Sequence, residues 1–165
     1  MAASLLGCTP ELNWRLVSSS QNLAHALMPC KPDKATRAVT LRVNATEVST
    51  QLHMQACEAG KMNFALAELA VPPNASTQEL RDAWRLASLA SLHTTESQAI
   101  SEPRLIKGDK PSQALMTRVT TPAHQAQFVW FITEQTIYQA AVYGKPNDKA
   151  FAEAAETYVS GIKWP

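Results

Sequence analysis

The chain has 165 residues, 45% of them hydrophobic and 18% charged, with a formal net charge of +1, which is the composition of a globular protein with one ordinary core. That balance excludes the strong basic field of a nucleic-acid-binding surface. No apolar run approaches the length of about eighteen residues that a membrane-spanning helix needs, and the longest, Phe128 to Ile132, has strand length.

Residues 1–10 stand apart from the rest. In "SLLGC", Leu5, Leu6 and Gly7 precede Cys8 in the manner of a bacterial lipoprotein signal, which ends in apolar and small residues before the cysteine that is lipidated. The stretch ahead of Cys8 is shorter than the positive and apolar regions of a working signal. On this reading the start is trimmed or misassigned; the other reading is a chance Gly-Cys pair in a frayed terminus. Residues 11–165 follow as a single α+β domain.

Residues 12–18, "LNWRLVS", and 22–29, "NLAHALMP", alternate well enough to form two strands of a hairpin. Pro29 and Pro32 stop the pairing because proline donates no ladder hydrogen bond. Arg37 to Val43 resumes as a strand, with Val39, Leu41 and Val43 on one face. Val48, Thr50, Leu52, Met54 and Ala56 alternate with Ser49, Gln51, His53 and Gln55, the cleanest period-two pattern in the chain. Gly60 and Lys61 mark a turn into the strand "MNFALAELAV".

At Asn74 the period changes. Ser76 with Glu79 three residues later predicts a reciprocal capping box, and Leu80, Ala83, Trp84, Ala87 and Ala90 recur at helical spacing. Thr94 to Ser112, with Pro103, Gly108 and Pro111, predicts a long connection with at most a short strand at "RLIK". "ALMTRV", "QFVWFIT" and "IYQAAVY" read as strands, the second and third joined by a tight turn at Glu134 and Gln135. "QFVWFIT" is apolar on both faces and belongs at the centre of a sheet covered on both sides. A helix is predicted from near Asn147, with Phe151, Ala154, Ala155, Tyr158 and Ile162 on one stripe and Gly161 at its end. Strands, then a helix, then strands and a helix make a mostly antiparallel sheet flanked by helices.

Three cysteines leave one unpaired thiol in an exported protein. A Cys30–Cys57 bridge would form only in an oxidising compartment; the alternative is two separately buried thiols in a cytosolic protein. Export with lipidation of Cys8 accounts for all three together. His25 and His53 precede Cys30 and Cys57 closely enough to suggest a Cys2His2 metal set, but a disulfide with two surface histidines is the plainer reading, and the four histidines show none of the paired metal spacings. No phosphate loop or nucleophile elbow is present in the sequence. Glu153 and Glu156 read as the solvated face of the last helix, and Trp14, Trp84, Trp130 and Trp164 as core.

Taken together, "NWRLV", "ALMPCKPDKATRAVTL", "MQACEAGKMNFALAELAV", "FVWFITEQTIYQAAVYG" and "AAETYVSGIK" resemble a family of proteobacterial envelope lipoproteins, and the order of elements resembles the PsbP-like fold, an α/β/α sandwich. The resemblance implies a secreted or anchored protein with a disulfide at Cys30 and Cys57, and it implies no reaction, metal or cofactor.

The expectation is therefore a non-catalytic periplasmic lipoprotein, anchored to the outer membrane through Cys8, that binds or helps assemble another envelope protein. Two other readings are a small-molecule or metal-binding domain with a cleft near residues 94–112, and a cytosolic adaptor with free thiols at Cys30 and Cys57.

Overall fold

The computed structural model describes residues 11–21, 23–108, 112–133 and 135–164. The alternating segments become β1 (Arg15–Ser18), β2 (His25–Met28), β3 (Asp33–Val43), β4 (Thr46–Ala59) and β5 (Met62–Ala70), followed by α1 (Thr77–Ser91). Then come β6 (Ile100–Gly108), β7 (Ser112–Thr120), β8 (Gln125–Ile132) and β9 (Thr136–Gly144), and finally α2 (Phe151–Ser160) and the two-residue β10 (Lys163–Trp164). The ten strands among the described residues lie in one sheet of order β1-β2-β10-β6-β7-β8-β9-β5-β4-β3. Every pairing is antiparallel except β10 with β6. The α+β class with a mostly antiparallel sheet holds.

Period-two alternation divides the central strands between two cores. On β5, Met62, Phe64 and Leu66 face one side with α2 and the β1–β2 hairpin, while Ala65, Ala67 and Leu69 face the other with Leu80, Trp84 and Leu89 of α1. β8 does the same: Val129 and Phe131 go to the α2 side, Phe128 and Trp130 to the α1 side. This explains why that strand is apolar throughout, since both of its faces are covered. Each large side chain so buried contributes roughly 1.5–3 kcal/mol. All four tryptophans pack in ring contacts, Trp14 on Phe64, Trp84 on Trp130 and Trp164 on Tyr138.

Three sequence readings need correction. Thr94 to Ser112 is not mainly a connection: Glu96–Gln98 forms a 3-10 turn and β6 runs nine residues, paired with β7 from Ile100 to Ile106. β10 pairs β6 only at Lys107 and Gly108, so among the described residues no strand pairs the outer side of β6 at Pro103, an edge position where proline is tolerated. The last helix begins at Phe151 rather than near Asn147, since Asn147 takes a left-handed φ of 64° in a turn and the Asp148 carboxylate accepts from the Ala150 amide. Gly161 does end that helix, as expected, at an ordinary φ of −81°, and a Cβ there would lie 2.8 Å from Leu27 Cβ. The capping box of α1 is half made: Ser76 Oγ accepts from the Glu79 amide at 3.4 Å, but the Glu79 carboxylate turns to Asn44 Nδ2 instead.

Candidate functional site

The first hairpin crosses the sheet face on the α2 side and is fastened at both ends. Near its base, Cys30 and Cys57 are joined in a disulfide with a Cα–Cα distance of 5.9 Å, tying the chain after β2 to β4. With its sulfurs bonded to each other, the suggested Cys2His2 set does not form. His25 Nδ1 is 2.9 Å from Ser18 Oγ and His53 Nδ1 is 2.9 Å from Thr36 Oγ1. Among the described residues no three His, Cys, Asp or Glu side chains converge as a metal site. Cys8, the expected lipidation site, lies outside the described residues, as does Glu134 of the expected turn.

At the hairpin tip the fastening is polar. Strand register places Thr36, His53, Glu68 and Tyr138 in one row across β3, β4, β5 and β9, on the face the hairpin covers. Glu68 is 4% exposed, and both of its carboxylate oxygens accept from the Ser20 amide, at 3.1 and 3.2 Å. Gln55 Nε2 donates to the Ser18 carbonyl at 2.6 Å, and Ser19 Oγ accepts from the Leu23 and Ala24 amides, which closes the turn. Burial raises the Glu68 carboxyl above the usual carboxylate range, against the opposing pull of the Ser20 amide, the Ser19 hydroxyl and His53. The Tyr138 phenol is raised as well, first by burial and then by the Glu68 charge beside it.

Ser19, His53, Gln55 and Glu68 line a cavity of about 80 Å³. That space suits a few water molecules, each taking about 30 Å³, and is well below the roughly 300 Å³ at which ligand pockets begin. Chemically the row can hold and exchange a proton, and mechanically it latches the hairpin.

The opposite face offers more space. Between α1 and the outer strands β3 and β4 runs an open groove of about 320 Å³. Leu41, Leu52, Met54 and Trp84 make it apolar, and among the described residues lining it the charged one is Arg37, which is exposed at the β3 rim. Gln139 Nε2 donates to Ser88 Oγ at 3.0 Å, cross-linking α1 to β9 on the floor. Tyr143 also lines it, with burial pushing its phenol up to about 12.

Among the residues singled out by sequence, the structure joins Cys30 to Cys57 and leaves the two histidines as hydrogen-bond partners of neighbouring hydroxyls. The segment 94–112, where a cleft was expected, holds the 3-10 turn and strand β6 among its described residues, and the concavities just described lie on other elements. Sequence reasoning missed Glu68, although a lone acid in the apolar run "MNFALAELAV" is the signal that could have found it. The groove beside β3 depends on strand order, which no local pattern reveals. Compared with known proteins, the chain matches no family model and no curated protein sequence.

Proposed function

We propose that this chain is a non-catalytic lipoprotein of the bacterial periplasm, anchored to the outer membrane through a lipid on Cys8, that binds or helps assemble another envelope protein. The observation that carries this reading is the Cys30–Cys57 bridge, a bond that persists in oxidising compartments and is rare in the cytosol. It clamps a hairpin over a latched polar row, which favours a rigid scaffold, while the apolar groove beside β3 supplies a surface for a partner. The finer fold assignment is the PsbP-like α/β/α sandwich, supported by α1 packing on one face of the sheet and α2 on the other.

The test is chemical cross-linking in cells expressing the full native gene, followed by recovery from detergent-solubilised membranes and peptide mass spectrometry. The reading predicts one envelope protein recovered reproducibly in amounts comparable with the bait. Recovery from the soluble cytosol, or from membranes with no specific partner, contradicts it.

A further inference from the structure

β3 borders the sheet at the end opposite β1 and is long, from Asp33 to Val43. Val43 pairs with Thr46 across the two-residue turn at Asn44 and Ala45. The residues flanking such a turn form a hydrogen-bonded pair, so strict alternation makes Leu41, Val39, Arg37 and Ala35 the residues bonded inward to β4. The amides and carbonyls of Lys34, Thr36, Ala38, Thr40 and Arg42 therefore face outward, where β3 has no neighbouring strand among the described residues. On the α1 side this same edge forms the rim of the groove through Arg37, Val39 and Leu41. Unpaired backbone beside a pocket for alternate side chains is the arrangement by which a peptide adds to a sheet as a strand.

Charge selects the occupant. β3 carries Lys34, Arg37 and Arg42 against the single acid Asp33. Among the described residues none of these cations has an ion-pair partner and no acidic residue lines the groove. A second copy of the chain pairing here would bring cation rows together, whereas an acidic segment neutralises them. We propose that the free edge of β3 takes up an extended acidic segment of a partner protein. That segment adds as a further strand, with an apolar side chain seated in the groove beneath α1 and a carboxylate against Arg37. The proposal rests on the reading that the chain binds another envelope protein, and it names the surface and the partner's chemistry.

The probe is a short labelled peptide of alternating valine and threonine bearing glutamates, titrated into the full chain and followed by fluorescence anisotropy. Its comparisons are the same peptide with lysines for the glutamates and a copy of the acidic peptide with its backbone amides N-methylated. The acidic peptide is expected to bind at least about tenfold more tightly than the lysine peptide at low salt, and N-methylation should abolish binding. Ala38→Pro removes one outward amide while sparing the inward ladder, so it should abolish binding with little change in the unfolding midpoint. Arg37→Glu, a change at an exposed side chain, should reverse the charge preference and serves if the proline variant folds poorly.

Equal binding of the N-methylated peptide, an absent charge preference, or no binding at about millimolar peptide would overturn the proposal. So would a dimer of the chain that Ala38→Pro dissolves, which would make the occupant a second copy. In membranes, a partner that still co-purifies with a folded Ala38→Pro variant sinks the edge site but leaves the protein-binding reading standing. No specific partner for the unaltered chain sinks that reading, while the peptide titration judges the edge on its own.

Discussion

Removing the disulfide should cost the protein much of its thermal margin. The bridge spans 27 residues, and constraining a loop of that length in the unfolded chain is worth about 3.5 kcal/mol. The loop holds all of β3 and nearly all of β4, and among the described residues β3 has no strand on its outer side, so the constraint acts at this border of the sheet. For a chain of this size each kcal/mol moves Tm by about 2–4 °C, which places the Cys30→Ser/Cys57→Ser variant about 7–14 °C lower. Calorimetric and circular-dichroism melts of the oxidised protein, the reduced protein and the double variant provide the comparison. Reduced protein and variant should fall together. A loss of under about 2 °C in both would refute the claim that the bridge restrains this hairpin.

Three further outcomes follow from the packing. The folded protein binds the Glu68 proton more tightly than the unfolded chain does, so this group's stabilising contribution is full below its ordinary value of 4.5 and is lost as pH rises through the raised folded value. Urea unfolding should therefore show Glu68→Gln gaining on the native chain between pH 4.5 and neutrality, and parallel pH profiles would count against a buried proton at this position. Tyr158 is fully buried and its hydroxyl donates to the Ala65 carbonyl at 2.7 Å, so Tyr158→Phe should cost about 0.5–1.5 kcal/mol in denaturant unfolding. A Cβ at Gly108 would collide with the Trp164 carbonyl, so Gly108→Ala should cost about 1–3 kcal/mol and speed amide exchange in β10 while leaving α1 protected.

What the sequence showed and what it concealed divide along the range of the interactions involved. The hairpin at Gly60 and Lys61 was legible because both residues take a positive φ, 58° and 60°, as a primed turn requires. The strand "QFVWFIT" announced its central place because burial on both faces leaves no polar alternation to find. β6 was hidden by proline, glycine and mixed charge, since an edge segment with one bonded side tolerates residues that read locally as loop. Arg104 and Arg118 belong to this region's surface ion pairs, with Glu156 and Glu102, partners that only the tertiary fold brings near. The capping box failed for a similar reason: Asn44, distant in sequence, outcompetes the local amide for the Glu79 carboxylate. The β3 edge and its groove were beyond reach because they follow from which strand ends the sheet.

The central claim is an anchored envelope protein with a clamped scaffold, and one measurement bears on it most directly. Intact and peptide mass spectrometry of the protein expressed from its full native gene, without reducing agent, should find a diacylglycerol modification on Cys8 and Cys30 linked to Cys57. An unmodified Cys8 together with free thiols at Cys30 and Cys57 would contradict the envelope reading.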